Sequence, residues 1–144
     1  MVCLPAGART AKVKNYPARA LRMVNPSSPG VGADIIGWRV GAQFSKIVGR
    51  NFMIDNRPGA ANIIATEIVA KSPPDGYTLL VATTGTFITN PLVYAKLPYA
   101  DRDFETIAIG ADVVGNTPEE FSAQIARERE VWAKVVKQAG IAPA

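Results

Sequence analysis

The 144-residue chain contains no histidine and a single cysteine, Cys3. The first absence excludes Ser-His-Asp and Cys-His nucleophilic catalysis, histidine-ligated metals and a histidine pH switch. The second excludes an internal disulfide. Cys3 stands so near the N-terminus that a frayed segment is expected there rather than a reactive thiol. Long apolar runs are missing too, and nothing approaches the ~18 residues of a membrane span. Met1 to Ala6 is too short for the apolar core of a secretion signal, and Pro5 interrupts it. Taken literally, that N-terminus reads as cytoplasmic. Net charge is +4, but no aromatic stacking platform accompanies the loose cluster Arg9, Lys12, Lys14, Arg19 and Arg22. A solvated basic face explains these charges better than a nucleic-acid partner does.

Nucleotide motifs fail on inspection. Gly30-x-Gly32 is followed by Ile35 where a dinucleotide fingerprint needs glycine or alanine, and no Gly-Lys-Ser/Thr triplet exists for an NTP. Asp101, Asp103 and Glu105 alternate without a glycine-centred calcium loop, so a solvated turn is the simpler reading. With no nucleophile–base pair and no metal cluster, the chain is expected to be no enzyme, with no catalytic residues, no metal and no cofactor.

What is present is a globular composition, 48% hydrophobic and 19% charged, enough for one real core. Residues 1–15 read as a disordered or extended lead-in. Arg19 to Val24 reads as a strand, stopped at Pro26 by a Ser/Pro/Gly loop. Asp34 to Val48 reads as a helix with Ile36, Val40, Phe44 and Ile47 on one face and Gly49 as its stop. Gly37 and Gly41 inside that helix cost roughly 1 kcal/mol each against alanine, which points to a close backbone contact with a sheet. Asn51 to Ile54 is a short strand, Asp55 to Gly59 a turn, and Ala61 to Lys71 a helix with Ile64 and Ile68 facing the core. Arg57 either reaches an anion or tethers its own loop to neighbouring carbonyls. Tyr77 to Ala82 is a continuous apolar strand, as in a sheet covered on both faces. A short helical piece from Phe87 stops around Asn90-Pro91, and Glu105 to Ile109 is a further strand. The last helix has Thr117 as N-cap, Pro118 at N1 and Glu120 completing a capping box. Phe121, Ile125, Trp132, Val136 and Ala139 form its stripe, and Gly140 ends it. Alternating strands and helices predict an α/β fold: a three-layer αβα lobe around a mainly parallel sheet.

Ligands bind such sheets at the carboxyl ends of the strands. Two neutral loops fall there, Ser27, Ser28, Gly30, Val31 and Gly32 in one and Thr83, Thr84, Gly85 and Thr86 in the other. Their amides and hydroxyls suit a carboxylate held reversibly, aided by the helix N-terminus that starts near Ala33 and Asp34. The same residues equally suit plain turns and a helix cap.

The order of motifs adds to this. Tyr16-Pro17, Pro29-Gly30-x-Gly32-Ala33-Asp34, Asn56-Arg57-Pro58-Gly59-Ala60, Pro74-Asp75-Gly76-Tyr77-Thr78-Leu79, Thr84-Gly85-Thr86, Asn90-Pro91, Leu97-Pro98-Tyr99 and Asp103-Phe104 resemble, in sequence, the Bug family. These are the solute-binding receptors of tripartite tricarboxylate transporters. Gly115-x-Thr117-Pro118-Glu119-Glu120-Phe121 through Ala139-Gly140-Ile141 is similar to that family's C-terminus. The resemblance implies a periplasmic clamshell related to type II periplasmic binding proteins, working with membrane transporter subunits. Its ligand would be a small carboxylate such as citrate or a dicarboxylate. On this reading Ser27, Ser28, Gly30, Val31, Gly32, Ala33, Asp34, Thr83, Thr84, Gly85 and Thr86 line one jaw of the clamp. The chain departs from the family in lacking the second domain between residues 16–109 and 110–144, and in Met1 to Asn15 standing where a secretion signal is expected. It departs again in Val31, where the family usually has glycine, and in Ser27-Ser28, where it has a more apolar pair. Losing two or three carboxylate hydrogen bonds at ~1.5–3 kcal/mol each weakens binding by about three decades or more. Weak or absent binding is therefore expected, and the alternative is a module that self-associates, or meets a protein partner, through its exposed cleft.

Overall fold

The computed structural model of the chain describes residues 2–7, 16–108 and 118–138. One five-stranded sheet organises it. Its strands are β1 (Val2–Pro5), β2 (Leu21–Asn25), β3 (Phe52–Asn56), β4 (Thr78–Val81) and β5 (Phe104–Ala108), in the spatial order β3-β2-β4-β1-β5. β2 is parallel to both β3 and β4. β1 is antiparallel to both β4 and β5, so four of the five strands run the same way.

The chain leaves β2 through helix α1 (Gly32–Val48) to β3, then returns through α2 (Ile63–Ala70) to β4 on the other side of β2. Right-handed crossovers taken in opposite directions put their helices on opposite faces. α1 accordingly covers one face, where Val40, Phe44 and Val48 pack on Val2, Leu4, Leu21, Met23, Leu79 and Val81. The other face carries Cys3, Val24, Leu80 and Ala82 against Ala65 and Val69 of α2, Phe87, and Ile125 of α4 (Pro118–Gln138). The strands alternate between these two cores because successive side chains point to opposite faces. The expected αβα layering holds.

Gly37 and Gly41 make the close contact expected of them. A Cβ on Gly37 would stand 3.1 Å from Asn25 Nδ2, and one on Gly41 3.1 Å from Ile54 Cδ1. This approach sets which face of α1 turns inward. Ile36 and Ile47, placed in the core by spacing alone, are instead 45% and 78% exposed, because the glycine pair and Val40, Phe44 and Val48 take the sheet side. Ile64 of α2 is likewise 44% exposed, with Ala65, Thr66 and Val69 buried in its place.

Other boundaries moved for identifiable reasons. β3 runs on through Asp55 and Asn56, predicted as turn, because the Arg57 amide donates to Asn25 O at 2.7 Å and prolongs the ladder. Arg57 does tether its own loop, but through Asp55 Oδ1 at 2.9 Å rather than through carbonyls. The helical piece begins as a π-helical turn (Gly85–Thr89) and continues past Pro91 as α3 (Asn90–Val93), since proline is tolerated in a helix's first turn. The acidic trio is consumed structurally. Asp101 pairs with Arg129 at 2.7 Å, Asp103 Oδ2 accepts from the Ala100 amide at 2.8 Å, and Glu105 accepts from the Gly7 amide at 3.3 Å. α4 does begin at Pro118. Thr117, Ala139 and Gly140, and the side chains of Glu120, Phe121, Trp132 and Val136, lie outside the described residues.

The largest correction concerns the start of the chain. Val2–Pro5 is not a lead-in but a strand wedged between β4 and β5, and Cys3 is not frayed but fully buried. β4 and β5 do not touch in this sheet, so β1 satisfies the facing backbone groups of both. Cys3→Asp tests this directly. A carboxylate at that point is desolvated inside the α2-side core, and the expected loss is at least ~3 kcal/mol of stability in urea unfolding. A frayed Cys3 would tolerate the change.

Candidate functional site

The direction of travel reverses at β2, with β3 on one side and β4 on the other. The crevice outside the carboxyl ends of β2 and β4 is therefore the topological switch point of the sheet. The loops following these two neighbouring strands are the two that carry the predicted ligand residues.

The first loop is built around Asp34. Its carboxylate is 5% exposed and faces inward. Oδ2 accepts from the Gly30 amide at 2.8 Å, and Oδ1 accepts from Asn56 Nδ2 at 2.7 Å and Asn25 Nδ2 at 3.3 Å. Asn56 also donates to Ser27 O at 2.9 Å, and Asn25 Oδ1 accepts from the Ser27 amide at 3.1 Å. Asparagines at the ends of β2 and β3 thus tie the loop to the sheet. The hydrogen bond from Asn56 and then that from Gly30 hold the Asp34 carboxyl below the usual aspartate range, against an opposing push from desolvation. Asp34 is therefore the strut of the loop, with its lone pairs already engaged.

What the loop presents outward is different. Ser28, Gly30, Val31 and Gly32 are exposed. Val31 is extended at φ −84° and ψ 164° and precedes the 17-residue α1, for which no side chain caps the N-terminus. The Asp34 and Ile35 amides bond to Val31 O at 2.9 and 3.1 Å, whereas no acceptor among the described residues takes the amides of Gly32 and Ala33. A Cβ on Gly32 would meet no atom within 4 Å. Packing within the protein does not require a glycine there.

The second loop is closed differently. Thr86 is fully buried, and its hydroxyl accepts from the Thr83 amide at 3.3 Å while its carbonyl accepts from Tyr99 Oη at 2.9 Å. Thr83 and Gly85 are half-buried and Thr84 is exposed. Burial, more than its partly offsetting hydrogen bond from Asn90, pushes the Tyr99 hydroxyl above its ordinary pKa and keeps it a neutral donor. Two concavities elsewhere, between α3 and α4 and between α1 and β3, are lined by none of the residues of these loops.

Sequence reasoning missed the asparagines. Asn25 and Asn56 end strands, Asn62 lies in the turn before α2 and Asn90 opens α3, and each donates a side-chain amide to one of the two loops or to the turn between β3 and α2. That turn, Ala60–Asn62, holds three consecutive non-glycine residues at φ 44°, 50° and 75°. Four asparagines at such places, in a residue type that tolerates left-handed backbone, were the available signal.

A family model described as the tripartite tricarboxylate transporter family receptor matches residues 37–123. A UPF0065 protein of Bordetella bronchiseptica is 37% identical over 108 residues, covering 74% of this chain and 32% of that protein. A Rhodopseudomonas palustris protein solved with adipate is 38% identical at a TM-score of 0.57, over 60% of this chain and 29% of that one. MatC of the same organism, solved with bound malate, is 32% identical at a TM-score of 0.56, over 58% and 29% of the two chains. The chain spans about a third of the length of the curated relatives it matches.

Two outcomes are expected of the site's framework. A group whose pKa is depressed by folding contributes stability above its unfolded pKa and loses it as pH falls through the folded value. Asp34→Asn should therefore destabilise the chain at neutral pH, with the difference from wild type shrinking in urea melts as pH drops below about 3.9. Ala61→Gly should raise stability by about 0.5–1 kcal/mol, because left-handed backbone costs a non-glycine residue ~1–2 kcal/mol and glycine's extra unfolded entropy returns only part of it. Thermal unfolding reads this as an increase in Tm.

Proposed function

Because the chain belongs to the tripartite tricarboxylate transporter receptor family, we propose that it is the part of a solute-binding receptor that presents one jaw of a clamp to a small dicarboxylate. The observation that carries this reading is the pair of amides, Gly32 and Ala33, that no acceptor among the described residues takes, at the N-terminus of α1 beside the switch point. Two adjacent N–H groups on one rigid turn match the two oxygens of a carboxylate, and hydrogen bonds to a charged acceptor are the strong ones. Ser28, Thr83, Thr84 and Gly85 supply the remaining contacts. Ser27, Asp34 and Thr86 hold the loops, while Gly30 and Val31 shape the approach. Two of the similar solved proteins were obtained with adipate and malate, which supports a dicarboxylate.

Membership of a receptor family supports delivery to membrane transporter subunits, and the similar periplasmic proteins support action in the periplasm. Contacts from this jaw alone leave the ligand's outer side in water, so residues 1–144 by themselves are expected to bind in the millimolar range, where a closed clamp would hold far tighter. A second reading, self-association, draws on Val31, Ile35 and Trp38, which are 46%, 51% and 57% exposed along one edge of α1 beside the first loop. Sizing at rising concentration separates the two. Saturable binding by a monomer supports the receptor, and a stable dimer indifferent to dicarboxylates supports the module.

The decisive variant is Gly32→Pro. Position 32 is N1 of α1 and Val31 already has the extended backbone that a following proline demands, so the helix keeps its stability. One donor is deleted. Calorimetric titration with adipate and malate should show affinity reduced about 10- to 100-fold, the worth of one hydrogen bond to a charged group. Unchanged affinity in a normally folded variant rejects the assignment of these amides.

A further inference from the structure

The turn between β3 and α2 is the most strained segment described. Ala60, Ala61 and Asn62 all have left-handed backbone, a conformation that single asparagines visit and alanines avoid. Strain of this kind persists only where surrounding contacts over-determine it. Here Asn90 Nδ2 donates to Ala61 O at 2.8 Å, Thr66 Oγ1 donates to Asn62 O at 2.8 Å, and the Asn62 amide closes on Gly59 O at 3.0 Å. The effect of these three bonds is to aim one side chain. Asn62 Nδ2 donates to Thr83 Oγ1 at 3.0 Å. Gly85 leaves the slot for it, since a Cβ there would stand 3.0 Å from Asn62 Nδ2 and 3.4 Å from Thr83 Oγ1.

We infer that Asn62 is a positioning residue that turns the Thr83 hydroxyl into a committed donor toward the bound carboxylate, an inference that rests on the receptor reading above. A threonine hydroxyl has one proton and two lone pairs. With Asn62 donating to the oxygen, the proton points away from Asn62, and no acceptor among the described residues takes it. A hydroxyl oriented in advance loses no rotational freedom when the ligand arrives. The left-handed turn exists to bring a short amide across from β3 to a loop that follows β4. A sequence pattern of glycine alone at positions 60–62 would relieve the strain and lose the amide.

The test uses the whole chain with adipate and malate as probes. Asn62→Gly keeps the backbone conformation and removes the amide. Gly85→Ala pushes on the same amide from the other side, and Thr83→Val removes the hydroxyl. Each is expected to weaken binding about tenfold. Asn62→Gly should melt at or above the wild-type Tm, and either change combined with Thr83→Val should be no weaker than Thr83→Val alone, because all three act through one hydroxyl. Losses that multiply in the double variants, or an Asn62→Gly chain that binds as wild type, overturn the positioning role and leave the receptor reading standing. Absence of adipate and malate binding by the wild-type chain overturns both.

Discussion

A buried carboxylate needs hydrogen-bond donors, and in this chain that requirement fixes the carboxyl ends of β2 and β3. Asp34 sits at the start of α1, yet its partners come from the end of β2, the end of β3 and the loop between β2 and α1. Three segments separated in sequence are pinned to one group. Removing any donor leaves charge less solvated at a 5% exposed site, where the cost of an unpaired acceptor is highest. The loop's shape is thereby set before any ligand is present, and with it the outward direction of the Gly32 and Ala33 amides. Gly37, one turn further along α1, lets the helix come close enough for Asn25 to lie beneath it.

The core of this arrangement was legible in the sequence, because it is local. The apolar run of β2, the Ser/Pro/Gly stop and the glycine pair at i and i+4 all fall within about 20 residues, where periodicity and turn chemistry act. β1 was not legible. Four residues, Val2 to Pro5, become a strand only because β4 and β5 leave a slot between them, a pairing that joins positions 2–5 to positions 80–81 and 104–108. No window of local sequence contains that information. The misplaced isoleucines failed for a related reason. Ile36, Ile47 and Ile64 satisfied a helical spacing, but small residues on the neighbouring face let the backbone approach the sheet, and closeness of approach prevailed over side-chain size. Within the site the loops were found and their internal bracing was not. Asparagine reads as a generic turn former, and only the fold reveals that Asn25 and Asn56 brace the first loop from strand ends while Asn62 and Asn90 brace the second loop and the turn before α2.

The two unusual features of the fold have a common logic. β1 runs against its neighbours, and Ala60–Asn62 twists left-handed; each departs from the regular α/β pattern and each completes contacts that the regular elements cannot reach. Conflicts between local preference and tertiary demand are expected where structure serves a site. The left-handed turn fits that expectation, since it abuts Thr83 and Gly85. β1 does not. It lies between β4 and the edge strand β5, with Val2 and Leu4 in one core and Cys3 in the other, and its role is to hold β5, and through β5 the Phe104 ring against Phe87, on the lobe.

On the proposed reading, two loops without a cation place a limit on how this jaw recognises a carboxylate. Neither loop contains lysine or arginine, and the one ionised group, Asp34, offsets the half-charge that the α1 dipole would otherwise offer. Attraction at long range is therefore small. On the proposed reading what remains is short-range donation from Gly32, Ala33, Ser28 and the threonines, which acts only when a carboxylate is already seated in the right orientation. A jaw of this kind rewards geometry over charge, and it contributes no desolvated ion pair that would have to be broken. The same argument explains why bracing matters more here than in a charged site: with each donor contributing about 1–3 kcal/mol, a loop free to wander would spend that energy on its own ordering.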